Sequence, residues 1–226
     1  FKQKTAYELS LGLVGSEMCI RDRTWICRCE SMNRRFAIIG HRAPSSGKIN
    51  LNDLAGSAGR MDVLVRAVNT ALFLSHGIRE DTDITLHLMG GAGPSRRVWF
   101  QGSKLRGVYS DERAIAGQVG KALKEPVPAI GQWVEIHPGF WHSGGGIEQT
   151  IHEWNRDDVR SFVLDAGGES FDSERHVWDA IGFILSDDQP FTDADNEIMQ
   201  KLERISLGNQ WLQGHSCISI LHHQLG

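Results

Sequence analysis

The span of residues 182–225 constrains this chain more than any other, because two strand-like runs, two polar loops and a capped helix follow one another there without a linker. The apolar run of residues 183–185 stops at the polar cluster of residues 186–190. Thr192 then opens a helix whose first turn holds Asp193 and Asp195, and a helix N-terminus favours such acids. A second strand-like run, residues 205–207, breaks at Gly208-Asn209, and an apolar, His-rich tail follows. Two strands that end in tight polar loops form a ligand crevice at the carboxyl edge of a sheet. The expected class is α/β.

The 226 residues, 40% of them hydrophobic, supply one domain with a sizeable core. No apolar run approaches the roughly 20 residues that cross a bilayer. The N-terminus lacks the basic-then-apolar order of a signal peptide, so a cytoplasmic protein is expected. Cys19, Cys27 and Cys29 all precede Met32, which leaves Cys217 alone in the body of the chain and excludes a disulfide framework or a four-cysteine zinc site there. The net charge of −4 hides a division. Residues 32–124 hold 14 Lys or Arg against 7 Asp or Glu, a net of +7, whereas residues 125–226 hold 5 against 17, a net of −12. A basic half is what a phosphate backbone binds. Two solvated faces of an ordinary domain account for the same asymmetry.

Residues 1–31 read differently from the rest. KQKTAYE (residues 2–8) and LVGSEMCIRDR (residues 13–23) resemble translated constant parts of a transposase-type sequencing adaptor. This segment is therefore expected to be a non-native, disordered extension, with Met32 as the native start and residues 32–226 as one domain.

Residues 36–39 form a compact β-like run that ends at Gly40, and HRAPSSGK follows. Six residues separate Gly40 from Gly47 and Ile49 follows Lys48, so the spacing and the hydroxyl of a phosphate loop are both missing. His41, Arg42 and Lys48 remain candidates for RNA-backbone contacts, with solvated loop charge as the alternative for Lys48. From Met61 apolar residues recur at helical spacing. Arg60 and Asp62 open that helix, either as a polar pair at a substrate or as a local cap. Residues 84–88 and 97–101 read as a hairpin. Arg96, Arg97, Lys104 and Arg106 cluster with Trp99 and Tyr109, a pattern that suits RNA, whose bases stack on rings. Buried aromatics beside surface arginines match it equally.

A helix is expected over residues 110–122, loop over 125–146, a helix over 147–154, a strand over 161–164 and then the turn DAGGES. No GxGxxG is present, and GHSCI at Gly214 lacks the second glycine of a nucleophile elbow. His215, His222 and His223 lack zincin spacing and read as core or interface histidines, so no metal is expected.

FILSDDQPFT and ISLGNQWLQGHSCISILHH resemble the knot-forming segments of the SPOUT methyltransferases, most closely the TrmY family, which methylates N1 of pseudouridine in the T-arm of archaeal tRNA. RRFAIIGHRAP, GRMDVLVRAVNTALFLSHGIRED and LRGVYSDERAIAGQVGKAL extend the match over nearly everything after Met32. The family usually carries Asp-His where this chain has Asp187-Asp188, and Leu-Gly-Pro where it has Leu207-Gly208-Asn209.

The resemblance implies a SPOUT fold: a mostly parallel sheet flanked by helices, with a C-terminal deep trefoil knot. It implies a homodimer that acts on tRNA at pseudouridine 54. S-adenosylmethionine would be held by Leu164, Ser186, Leu207, Gly208, Asn209, Gln210, Trp211, Leu212 and Cys217. A related SPOUT family that methylates N1 of a ribosomal pseudouridine carries a similar Arg-x-Asp. That likeness nominates Asp62, with Arg60, to assist departure of the N1 proton. From the residues themselves, Arg42, Arg96, Arg97 and Arg106 are the candidates for gripping RNA. The competing readings are methylation at another RNA position, as in rRNA, and a non-catalytic RNA-binding protein that kept the fold.

Overall fold

The computed structural model describes residues 32–172 and 178–226; the predicted extension, residues 1–31, lies outside the described residues. In chain order the elements are β1 (Asn33–Pro44), α1 (Met61–Leu72), the short pair β2 (Phe73–Leu74) and β3 (Gly77–Ile78), β4 (Thr82–Gly90) and β5 (Arg96–Gln101). There follow α2 (Glu112–Lys124), β6 (Val134–His137), β7 (Phe140–Gly144), α3 (Ile147–Arg156) and β8 (Arg160–Ser170). The chain closes with β9 (Ala180–Ser186), α4 (Asp193–Ile198), β10 (Glu203–Ser206) and α5 (Gly214–Leu225).

Eight strands make one sheet in the order β10-β8-β9-β1-β4-β5-β7-β6. The pairings from β10 through β4 are parallel, and β5, β7 and β6 add an antiparallel edge. β1 is the axis. Its residues 36–39 have no exposed surface, so both faces of the strand are covered, as a parallel strand between helix layers requires. Ala37 and Ile39 pack with Trp154, Val163, Ile184 and Met199 on the side of α3 and α4. Phe36 faces the other way, with its ring 5.3 Å from the His222 imidazole of α5. That second layer holds α5 and α2, both packed against α1. α1 forms because Met61, Leu64, Val65, Val68 and Leu72 recur along one face of a helix and are all fully buried.

Two parts of the sequence reading need revision. The stretch expected as loop over residues 125–146 contains β6 and β7. These strands are short, bounded by Pro128 and Pro138, and their pattern is too brief to show a period. The second revision concerns Arg96 and Arg97, expected at an RNA surface. Both are buried, at 1% and 0% exposure. Arg97 makes a two-pronged ion pair with Glu153 at 2.8 and 2.9 Å, bonds Thr150 Oγ1 at 3.1 Å, and lies over the Trp133 ring. Arg96 donates to the carbonyls of Ala122 and Glu125, where the end of α2 concentrates negative charge. A phosphate contact needs a cation in solvent. These two instead tie the antiparallel edge to α2 and α3.

Removing one member of a buried pair strands the other. Arg97→Ala is expected to destabilise the domain by about 3 kcal/mol or more, read calorimetrically as a Tm lower by on the order of 10 °C. An unchanged Tm would return Arg97 to the surface.

Candidate functional site

The carboxyl ends of β8, β9 and β10 converge on a pocket of about 400 Å3. Its walls are residues 164–166, residues 185–191, and Leu207 and Gly208 with residues 210–214 and Cys217. The first wall exists because β8 and β10 lose register. Arg204 is paired with Val163 and its neighbour Ile205 with Glu169, so residues 164–168 arch out between two consecutive rungs. Arg204 holds the arch from below, donating to Asp165 at 2.6 Å and to Asn196 at 2.8 Å. Ser206 ties the arch to the third wall: its hydroxyl donates to the carbonyls of Ala166 (3.3 Å) and Gly208 (2.9 Å).

The second wall is fixed by a histidine from β1. The His41 backbone N–H and ring Nδ1–H reach the two oxygens of Asp187 at 2.9 and 3.0 Å, and Nε2–H reaches Asp195 at 3.0 Å. Two ring donors require the imidazolium. The Asp187 hydrogen bond, opposed by burial and reinforced by Asp195, pushes the His41 pKa up to about 9. Asp195 also accepts the backbone N–H and hydroxyl of Thr192, closing the capping box that starts α4. One charged ring thus joins the end of β1, the loop after β9 and the start of α4. His41 is therefore withdrawn from the RNA-contact candidates, since both ring nitrogens are engaged.

At the pocket mouth stands Asp188, which takes ion pairs from Arg42 and, at 3.4 Å, from Arg60. Arg60 is the N-cap of α1 and sits in the left-handed region, at φ 63°. Gly59 before it is also left-handed, and a Cβ there would fall 2.0 Å from the Arg42 carbonyl oxygen. Only glycine permits that approach, and the approach carries Arg60 to Asp188. Asp62 is almost wholly buried and accepts Arg60 Nε at 2.9 Å and Nη2 at 3.2 Å, with Arg66 at 3.3 Å. Burial pushes its carboxyl up, but the arginines outweigh burial and leave it below the usual carboxylate range. Asp62 is thus held as a carboxylate against Arg60 and Arg66.

Of the nine residues named from the sequence as cofactor contacts, Leu164, Ser186, Leu207, Gly208, Gln210, Trp211, Leu212 and Cys217 line this pocket, and Asn209 does not. Burial raises the Cys217 pKa, so it stays a thiol and offers no nucleophile. Arg42 and Arg106 are exposed, as RNA contacts must be. His222 is buried and shared between Arg34 and the Ala71 carbonyl; burial first, then the nearby arginines, bring its pKa down to about 4. Among the described residues no cluster of His, Cys, Asp or Glu could hold a metal, and no helix is long and apolar enough to cross a membrane. Sequence reasoning missed the clamp of His41, Asp187 and Asp195, and the Arg204–Asp165 tie. The TxxD at Thr192 announced a cap but not its partner 154 residues upstream.

The pocket wall sets Leu164, Leu185, Ile205, Leu207 and Leu212 among the carboxylates of Asp165, Asp187 and Asp188 and one guanidinium, Arg204. An apolar slot whose rim carboxylates are each ion-paired suits a flat ring with polar substituents.

The family described as "Putative SAM-dependent RNA methyltransferase" matches residues 33–226. The tRNA (pseudouridine(54)-N(1))-methyltransferase of Methanosarcina mazei is 36% identical over 196 residues, covering 85% of this chain and 90% of that protein. The enzyme of the same name from Haloarcula marismortui is 40% identical over 197 residues, covering 85% and 96%. Among solved structures, Archaeoglobus fulgidus Nep1 bound to S-adenosylhomocysteine superimposes with a TM-score of 0.63 at 10% identity, covering 86% of this chain and 97% of that one, a likeness of fold.

Two outcomes are expected from the geometry. His41 is protonated in the fold up to about pH 9 but only up to its ordinary pKa of 6.5 when unfolded. Its stabilisation is therefore complete below pH 6.5 and lost as the pH rises from there through 9. Tm measured from pH 6 to 10 should decline in the native protein, and His41→Gln should flatten that decline. Gly208 has φ 127°, outside the range of other residues. Gly208→Val should deform the third wall and abolish ligand heat in calorimetry with S-adenosylmethionine, while the Tm stays within a few degrees.

Proposed function

The chain belongs to the family of S-adenosylmethionine-dependent RNA methyltransferases, and from that membership we propose that it methylates N1 of pseudouridine 54 in tRNA, the reaction its curated relatives are named for. The observation that carries this reading to individual residues is the pocket at the carboxyl edge of β8, β9 and β10. Its leucines fit an adenine, and its rim carboxylates offer hydrogen-bond acceptors to an ammonium group. When bound, S-adenosylmethionine supplies a methyl group already activated for displacement. The chain itself needs neither a metal nor a covalent nucleophile for such a transfer, only alignment.

The acceptor nitrogen carries a weakly acidic proton, so negative charge builds on the pseudouridine ring as that proton leaves. In this reading the guanidinium of Arg60, held between Asp62 and Asp188, is the group that stabilises that charge. Asp62 holds the guanidinium in position, and the proton passes to solvent. Asp187 and Asp195, fixed on His41, keep the second wall at its distance from the first.

The same reading extends to features beyond one subunit's site. Ile218 and Leu221 are buried within the domain, but Trp211, at 80% exposure, and Leu212 leave apolar side chains at the pocket edge, and this supports a homodimer built around it. The SPOUT resemblance supports a C-terminal deep trefoil knot, with α5 returning from the β10 edge to lie on α1. A tRNA substrate supports a cytoplasmic location. The family match begins at residue 33, which supports residues 1–31 as an adaptor-derived extension.

Mass spectrometry of nucleosides should find methylated pseudouridine in pseudouridine-containing tRNA incubated with protein and cofactor, and no product from tRNA that keeps uridine at the same position. Arg60→Ala should lower the rate by about 100-fold or more, with Asp62→Asn between it and the native protein. A methylated product at another position would move the activity to a different acceptor.

A further inference from the structure

The basic and aromatic residues between Arg96 and Tyr109 divide sharply in space. Arg96 and Arg97 lie inside, and Trp99 packs among Trp133 and Trp141. Lys104, Arg106 and Tyr109 stand outside, with the Tyr109 side chain 77% exposed. This ring is presented by a rigid support. Its neighbours Leu105 and Val108 are buried and anchor the segment to the core. The Leu105 N–H bonds the Gln101 carbonyl at 2.9 Å, and the Arg106 N–H bonds the Pro138 carbonyl at 3.3 Å. On the far side Asn69 of α1 donates to the Ser110 carbonyl at 2.7 Å, and Asp111 caps α2. Both flanks of Tyr109 are therefore fixed while its ring stays in solvent.

The charges around the ring favour a polyanion. Arg106 and Lys104 are exposed on the same segment. The acids nearby are engaged: Asp111 accepts the N–H groups of Arg113 and Ala114, and Glu112 is paired with Arg66 at 3.0 Å. The segment is also joined to the pocket mouth. Arg66 bridges Glu112 to Asp62, Asp62 holds Arg60, and Arg60 reaches Asp188. Asn69, which carries the segment, lies seven residues beyond Asp62 on α1, roughly 10 Å along the helix axis.

We propose that Tyr109 is a stacking platform for an unpaired base of the RNA substrate, other than the base that receives the methyl group, with Arg106 and Lys104 on the adjoining phosphates. The separation from the pocket mouth assigns the ring to a neighbouring nucleotide. Stacking on a preset ring with few rotamers holds a base without reading its identity. Arg106 and Lys104 contribute the salt-dependent part of the grip. The proposal rests on the reading of the chain as a tRNA methyltransferase.

The test is fluorescence anisotropy with labelled tRNA, run beside methylation assays and thermal melts. Tyr109→Ala should weaken tRNA affinity about tenfold, with Tm and cofactor affinity unchanged, while Tyr109→Phe and Tyr109→Trp should stay within about twofold of the native protein. Arg106→Ala should lower the slope of log Kd against log salt by about one. Native affinity in Tyr109→Ala, or failure of Phe and Trp to restore it, overturns the platform. An Ala variant that loses only self-association in sedimentation would assign the ring to a protein contact and overturn it equally. Native protein that binds tRNA with the expected Tyr109 dependence but methylates nothing would sink the enzymatic reading and leave the platform standing; native protein that binds no tRNA removes both.

Discussion

A single protonated imidazole between two carboxylates sets the shape of the site. His41 lies near the end of the central strand, Asp187 in the loop after β9, and Asp195 in the first turn of α4 to which that loop leads, so the ring ties the β9–α4 segment to a strand about 150 residues upstream. Burying charges is costly unless each is paired and hydrogen-bonded. Here both ring protons are used, and each carboxylate takes further donors, Gln189 N–H on Asp187 and Thr192 on Asp195. The clamp holds the middle wall of the pocket, and the walls on either side are built against it.

The same interaction is one of several ion pairs that cross between the basic and the acidic half, beside others within each half, such as Arg34 with Asp81 and Arg160 with Glu203. Arg35 pairs with Asp157, His41 with Asp187 and Asp195, Arg42 and Arg60 with Asp188, and Arg97 with Glu153. Every cation in that set comes from the basic half and every anion from the acidic half. β1 and β9 are neighbours in the sheet, which brings the two halves into contact at their oppositely charged ends. Part of what looks in the sequence like a nucleic-acid surface is therefore attraction between two parts of one domain, while Lys104 and Arg106 stand in solvent.

That distinction also separates two kinds of arginine at the site. Arg204 and Arg97 are supports whose partners lie on other elements, and their task is finished once the fold is made. Arg60 is held by Asp62 and Asp188 yet keeps about a third of its side chain in solvent. The unusual backbone at Gly59 and Arg60 is the local cost of that placement, and it follows from the contact with the Arg42 carbonyl.

The sequence by itself determined the element types wherever a period or a cap ran long enough: the both-sides-apolar β1, the amphipathic α1, the Thr192 cap, and the strand-and-loop repeats of residues 182–212. Strand ends that fall in polar loops pointed to a crevice at one edge of a parallel sheet, and the residues of the pocket wall came from the resemblance to the SPOUT methyltransferases. The sequence left β6 and β7 illegible, since strands of four and five residues punctuated by proline carry no measurable period. Tertiary structure alone decided which charges face water. Arg97 and Arg106 are the same residue type in the same basic cluster; one is sealed against Glu153 and the other stands in solvent. The difference depends on a partner far along the chain, and composition and spacing contain no record of distance in space.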